Sequence, residues 1–114
     1  MRQSEAAVSL IHRVQEGQTF WLAQWNPNWR RFHFVSGHRR AEESFRECLV
    51  REIAEELGLR EGADYQVLQA HPAQLDFFDF SESSRAETRY IMGLFNVQLK
   101  PGTDREVDAN PANR

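Results

Sequence analysis

The sequence predicts a mixed α/β domain of the α+β kind, in which a mixed β-sheet is layered with helices. Segments rich in β-forming residues precede and follow one clear helical pattern. This order of strands, helix and further strands is typical of a layered domain. A length of 114 residues accommodates one hydrophobic core, so we expect a single domain over residues 1–114.

Three strands are predicted before the helix, over residues 6–14, 19–25 and 31–35. A turn is predicted between the first two at Glu16-Gly17-Gln18, which favours a hairpin. The third strand alternates, with Phe32 and Phe34 on one face, and Ser36-Gly37 is expected to end it.

The helix begins at a capping box, because Ser44 is followed three residues later by Glu47. It is predicted to run to Leu57, and Gly58 supplies the left-handed conformation that commonly ends a helix. Its core-facing stripe recurs every four residues at Leu49, Ile53 and Leu57.

After the helix, strands are predicted over residues 65–75, 76–80 and 87–99, with an interruption at Pro72 and a loop over residues 81–86. Eight aromatic side chains are assigned mainly to packing in the core. Stacking on a base is the alternative for the five that precede the helix, and a pocket wall is the alternative for the three that follow it. The eight residues are Trp21, Trp25, Trp29, Phe32, Phe34, Phe77, Phe78 and Phe80. Residues 101–114 form a polar tail.

Composition and charge argue against several classes of function. Hydrophobic residues make up 40% and charged residues 27%, as in an ordinary globular protein. A net charge of −3 gives no indication of binding to nucleic acid or to an anionic membrane. The apolar runs are too short for a transmembrane helix, and no signal-peptide pattern is present. Cys48, the one cysteine, forms no internal disulfide, and we expect a cytoplasmic protein.

Three glutamates in the helix carry the chemistry. Glu52, Glu55 and Glu56 are spaced i, i+3 and i+4, which places them on one arc beside the apolar stripe. Their mutual repulsion disfavours the helix by roughly 0.2–0.5 kcal/mol for the i, i+4 pair, and a bound cation would relieve it. Oxygen ligands suit hard ions such as Mg²⁺ or Mn²⁺. Taken alone, the three glutamates more often form a solvated acidic face.

The wider spacing changes that interpretation. Residues 37–59 resemble the Nudix box, Gly-x5-Glu-x7-Arg-Glu-U-x-Glu-Glu-x-Gly-U, in which U is a bulky aliphatic residue. Every specified position matches, at Gly37, Glu43, Arg51, Glu52, Ile53, Glu55, Glu56, Gly58 and Leu59. The sequence departs from the family in the loop, where Val35-Ser36 replaces the frequent Pro-Gly and Glu42 replaces a frequent glycine.

The resemblance implies a Nudix fold and a metal-dependent hydrolase. Glu52, Glu55 and Glu56 would be both the metal ligands and the catalytic carboxylates. Arg51 would pair with Glu43 and hold the loop against the helix, and Gly37 would allow a tight turn near the phosphates. The reaction implied is hydrolysis of a diphosphate linkage in a nucleoside diphosphate joined to another group, with Mg²⁺ or Mn²⁺ as cofactor.

Further candidate residues lie outside the specified positions of the box and are assigned from their charge or ring chemistry. Arg39 and Arg40 carry positive charge that would suit substrate phosphates, and Trp29 would suit a base. Family members often use a further acidic residue, and our first choice for a general base is Glu87, with Glu82 and Asp79 as alternatives. Each is, taken alone, also typical of a surface residue.

Two other functions compete with hydrolysis. A Nudix-like domain that senses a nucleotide ligand without turnover is the main rival, although the intact set of box glutamates disfavours it. A Nudix-fold isomerase acting on an isoprenyl diphosphate would be longer and would need extra catalytic residues. The substrate stays open among mutagenic nucleotides, nucleoside diphosphate sugars, dinucleoside polyphosphates and cofactors such as NAD or ADP-ribose.

The resemblance also raises a question about the second face of the sheet. Nudix domains usually end with a strand and a helix that covers one sheet face, whereas Val107 is the one large aliphatic residue in the tail. The expected fold therefore lacks the C-terminal helix. Either a homodimer covers the exposed face or the native chain continues past Arg114, and the second alternative is favoured.

Overall fold

Two long parallel strands lie at the centre of a six-stranded mixed sheet, in a computed structural model that describes residues 2–103. The strands are β1 (Arg2–Gln15), β2 (Gln18–Trp21), β3 (Gln24–Asn26), β4 (Arg31–His33), β5 (Val35–His38), β6 (Tyr65–Val67), β7 (Ala73–Ser81) and β8 (Ala86–Leu99), and the helix is α1 (Phe45–Leu57). The mixed fold class predicted from the sequence is confirmed.

Strands β1 and β8 pair in parallel, from Arg2 opposite Thr88 to His12 opposite Gln98. On its other edge β1 pairs antiparallel with β2 and β5, and β8 pairs antiparallel with β6 and β7. Strands β3 and β4 form a separate two-stranded ribbon. The sheet therefore joins segments from both ends of the described chain at its centre, where β1 and β8 lie side by side.

Helix α1 packs on one face of the sheet, against β1 and β5. Its cap is the one predicted: the Ser44 side chain accepts from the Glu47 amide, the Glu47 side chain accepts from the Ser44 amide, and Gly58 has φ 70°. Leu49 and Ile53 are fully buried. Burial of each side chain stabilises the packing by roughly 1.5–3 kcal/mol, which fixes the rotation of the helix and hence the direction of its glutamates.

The structure corrects the strand expected over residues 31–35. It is divided at Phe34 into β4, which pairs with β3, and β5, which pairs with β1. Strand β5 continues through Gly37 to His38, so Ser36-Gly37 does not end a strand. The predicted strand over residues 19–25 is likewise divided between β2 and β3.

The assignment of the aromatic residues to the core is wrong. Trp21, Trp25, Trp29, Phe32, Phe34, Phe77, Phe78 and Phe80 are all exposed, by 39–63%. The β3–β4 ribbon is a separate two-stranded sheet, and residues 73–80 of β7 are exposed along their whole length. The core consists instead mostly of smaller residues, with Tyr65 and Phe95 as its largest members.

The second sheet face carries apolar residues that are only partly buried. Val8 lies opposite Leu94 and Ala6 opposite Met92 on this face, and within residues 2–103 no helix covers it. The polar tail and Val107 lie mostly outside the described residues, so the expectation of a dimer or a longer chain stays a prediction. Within the same residues no helix is long and apolar enough to span a membrane.

Candidate active site

The predicted site lies where α1 passes over β5. Glu52 is held close to the sheet, with a side chain that is 13% exposed, whereas Glu55 is 50% exposed. Glu56 is exposed on the same arc of the helix. The helix therefore presents one carboxylate held against the sheet and two that are exposed to solvent.

Gly37 creates the space that Glu52 occupies. An ideal β-carbon at Gly37 would lie 2.5 Å from Glu52 Cγ and would overlap Cδ and Oε1 still more closely. Gly37 is paired with Ala7 inside β5, and it is not among the glycines with positive φ. Its role in the structure is thus close approach of a side chain to the backbone, rather than the tight turn expected from the sequence.

Arg51 joins the loop, the helix and the end of β5. Its Nε and Nη2 donate to Glu43 Oε2 and Oε1 at 2.6 and 2.9 Å, a bidentate pair, and Nη1 donates to Glu52 Oε1 at 2.8 Å. Nη2 also donates to the His38 carbonyl at 3.1 Å. The fork geometry of the guanidinium orients Glu52 and ties the loop before α1 to it.

This pairing has a consequence for acid stability. The hydrogen bonds from Arg51 lower the pKa of Glu43 from 4.5 to about 2. Because the pKa is depressed in the folded state, the stabilisation is present above about pH 4.5 and is lost as the pH falls toward 2. We expect the urea midpoint of the wild type to fall more steeply over that window than the midpoint of Glu43→Gln.

The comparison isolates Glu43, since every other carboxylate is common to both proteins. Glu42→Gln serves as the matched control, because Glu42 is exposed on the same loop and should leave the pH profile unchanged. Parallel profiles for wild type and Glu43→Gln between pH 4.5 and 2 would show that the pair contributes no pH-dependent stability.

The two loop arginines are placed differently. Arg39 donates to Glu5 Oε2 at 2.5 Å and to the Glu43 carbonyl at 2.6 Å, and its guanidinium lies over the Phe45 ring. It therefore fastens the loop to β1, a contact that was not predicted from the sequence. Glu5 could have indicated it, because Glu5 lies two residues before the buried Ala7 in β1 and so shares its face. Arg40 is 67% exposed and lies 3.7 Å from Glu55, which leaves it within reach of a ligand.

Trp29 lies in the β3–β4 ribbon, where it is 63% exposed and its ring contacts the His33 ring at 5.8 Å. Next to this ribbon, Glu56 borders a cleft of about 320 Å³. No local sequence pattern marks this cleft, because its lining residues come from three separate segments.

Glu87 is not brought to the box glutamates. Gly93, Ala7 and Gly37 form one row across the sheet, and Glu52 packs on the last of them. Glu87 is six residues from that row along β8, a span of roughly 20 Å in an extended strand. The alternatives Glu82 and Asp79 lie at the same end of the β7–β8 hairpin. The geometry therefore gives no support to a base from this region.

The three helix glutamates fit a hard divalent cation by their donor chemistry, since they offer carboxylate oxygens alone. Within residues 2–103, no three carboxylate, imidazole or thiol groups converge into a metal cluster. The space at Gly37 holds Glu52 in place, and the exposed Glu55 and Glu56 are able to turn toward an ion beside it. These are the residues that would hold Mg²⁺ or Mn²⁺.

Comparison with known proteins agrees with the fold and the box. A model of the NUDIX domain family matches residues 3–110. A Caenorhabditis elegans Ap4A hydrolase superimposes with a TM-score of 0.64 at 18% identity, over 89% of this chain and 71% of that one. Among curated protein sequences, none matches significantly.

Two further structures share the fold. A NUDIX hydrolase from Clostridium perfringens has a TM-score of 0.63 at 14% identity, over 86% of this chain and 69% of that one. A NUDIX hydrolase described as putative, from Listeria monocytogenes, has a TM-score of 0.61 at 19% identity, over 82% of this chain and 62% of that one. The family model covers nearly the whole chain, which therefore belongs to the NUDIX domain family.

Proposed function

We propose that the protein hydrolyses a diphosphate linkage in a nucleoside diphosphate joined to another group, with Mg²⁺ or Mn²⁺ held by Glu52, Glu55 and Glu56. The observation that carries the proposal is the anchoring of Glu52 between the Gly37 backbone and Arg51 Nη1. A partly buried, oriented carboxylate beside two exposed ones is an arrangement that a structural acidic face does not need.

Each residue of the site has a part in this reaction. Glu52 supplies a fixed carboxylate, and the exposed Glu55 and Glu56 complete an oxygen donor set around it. Arg51 orients Glu52 and keeps the loop in place. Arg40 is free to approach phosphate oxygens. A divalent ion bound there supplies charge neutralisation for the phosphate oxygens and lowers the pKa of the attacking water.

The position of the Arg51 guanidinium supports a cation-binding role for the three glutamates. Arg51 Nη1 lies 3.3 Å from Glu55 as well as 2.8 Å from Glu52, so one positive group offsets the repulsion between these two carboxylates. Glu56 has no ion-pair partner within residues 2–103. Arg51 therefore does not offset the negative charge of Glu56, and a divalent ion would balance it.

A substrate panel tests the proposal. The purified protein is incubated with ADP-ribose, NAD, a nucleoside diphosphate sugar, a mutagenic nucleoside triphosphate and Ap4A, the last because a structural neighbour is an Ap4A hydrolase. Phosphate or nucleotide release is measured with Mg²⁺, with Mn²⁺ and with excess chelator. We expect turnover of at least one compound that disappears with the chelator.

Metal-independent turnover would contradict the proposal. Tight binding of a compound without turnover, in either metal, would instead indicate the non-catalytic sensing domain. Glu52→Gln is the matched variant for both outcomes, because it keeps the size of the side chain in the space at Gly37 and removes the anchored charge.

A further inference from the structure

The cleft beside Glu56 has a composition that the metal site does not explain. It is bordered by Gln24, Asn26, Asn28 and His33 of the β3–β4 ribbon and its turn, by Ser36 of β5, and by Glu56 of α1. Its volume of about 320 Å³ lies in the range of sites for small organic molecules. It opens directly onto a proposed metal ligand.

The charges around the site differ from one side to the other. Of the described residues that line the cleft, none is lysine or arginine, and Glu56 is the one carboxylate. The arginines of the box lie elsewhere: Arg51 contacts Glu43 and Glu52, and Arg40 approaches Glu55. Phosphate groups need cations or clustered amides, so the cleft suits an uncharged group that forms hydrogen bonds.

The polar groups of the cleft are held in place by the ribbon. His33 Nδ1 lies 2.8 Å from the Phe34 carbonyl, which only accepts, so Nδ1 donates there and Nε2 is left to contact a ligand. Asn26 Oδ1 accepts from the amides of Asn28 and Trp29 at 2.9 and 3.2 Å, which fixes the turn. The exposed Asn28 side chain offers both a donor and an acceptor.

Aromatic surface lies next to these groups. Trp25 contributes to the wall of the cleft and is 41% exposed, and the Trp29 ring contacts that of His33. Exposed indoles stack well on the flat faces of bases. This surface therefore suits the base of a nucleoside.

We propose that the cleft binds the nucleoside of the substrate, with the base against the ribbon and the diphosphate directed across Glu56 toward Arg40. The direction of the diphosphate in this proposal rests on the proposed function, because it assumes a metal site at the helix glutamates. The binding of the nucleoside itself depends only on the cleft, and it is measurable without metal or turnover.

The test uses AMP, ribose 5-phosphate and inorganic phosphate as probes, titrated by NMR into the metal-free protein. We expect AMP to bind at least fivefold more tightly than ribose 5-phosphate, and inorganic phosphate to bind most weakly. His33→Ala and Asn28→Ala should each weaken AMP binding by about fivefold or more, while His71→Ala, at an exposed histidine outside the cleft, should leave it unchanged.

Equal affinity of the protein for AMP and ribose 5-phosphate, absence of AMP binding at millimolar concentration, or unchanged AMP binding in both cleft variants would overturn the inference. The spectra of the variants report their folding in the same experiment. If AMP binds as expected but no diphosphate is hydrolysed, the proposed function fails and the cleft assignment stands. If hydrolysis depends on Mg²⁺ but KM is unchanged in both variants, the cleft assignment fails alone.

Discussion

Glu56→Gln is expected to lower kcat by two or more orders of magnitude, roughly 3 kcal/mol or more in the barrier, and Glu55→Gln should act in the same way. Glutamine keeps the size and the helix propensity of glutamate but removes a charged oxygen ligand. Both positions are exposed, so neither substitution opens a cavity. The measurement is kcat at saturating Mg²⁺ with the best substrate of the panel.

The stability of the Glu56→Gln variant separates a catalytic role of Glu56 from a structural one. Glu56 and Glu52 are like charges at i, i+4, and Glu56 lies near the negative end of the helix dipole. Glu56→Gln should therefore leave the urea midpoint equal or slightly higher while activity falls. Substitution of a surface residue without a catalytic role would leave both the activity and the metal dependence of that activity unchanged.

Glu42→Gln is the matched control, since Glu42 is an exposed glutamate of the preceding loop and is not a specified position of the box. It should retain the kcat of the wild type. Near-normal turnover in both Glu55→Gln and Glu56→Gln would end the assignment of the metal site to this helix.

The helix and its glutamates were predictable because their signals are local. The Ser44–Glu47 capping box, the φ of 70° at Gly58 and the apolar spacing of Leu49 and Ile53 all act within one or two turns. Once the apolar stripe fixes which face is buried, the direction of the glutamates follows. The family resemblance of residues 37–59 adds the pairing of Arg51 with Glu43, a contact that the structure contains.

The strands were less predictable because their partners are distant in sequence. Residues 31–35 alternate like one strand, yet β4 pairs with β3 and β5 pairs with β1, and no local pattern marks the change at Phe34. The prediction that the aromatic residues are buried was wrong for the same reason. A phenylalanine of β7 has the same local sequence signature in a central strand and in an edge strand, and only the pairing decides its exposure.

The candidate site also combines features with a local sequence signal and features that depend on long-range contacts. The spacing identifies Gly37 as part of the box, but its role depends on which side chain lies above it, and that is a tertiary contact. Likewise, Arg39 looks like a phosphate-binding residue in the sequence, whereas the pairing of β1 with β5 brings Glu5 beside it. The cleft beside Glu56 requires three segments to come together before it exists.

Gly37→Ala is expected to reduce kcat/KM by about 100-fold while the protein stays folded. The added β-carbon would overlap the outer atoms of the Glu52 side chain, which rotates away at a cost of about 1 kcal/mol. That rotation removes the anchored carboxylate from the site and breaks its bond from Arg51 Nη1. Metal affinity, measured with Mn²⁺ by paramagnetic relaxation and without substrate, should fall together with activity.

Gly93→Ala supplies the opposite pattern and so serves as the matched control. A β-carbon at Gly93 would meet Phe45 Cγ at 2.9 Å and Cδ1 at 3.0 Å, in the packing between β8 and the start of α1. Overpacking there should cost roughly 1–3 kcal/mol of stability. The folded fraction should keep near-normal kcat/KM and Mn²⁺ affinity, because no box glutamate contacts Gly93. If Gly37→Ala instead loses stability while keeping the Mn²⁺ affinity of the wild type, then the space at Gly37 serves packing alone, and Glu52 does not depend on it to hold the metal.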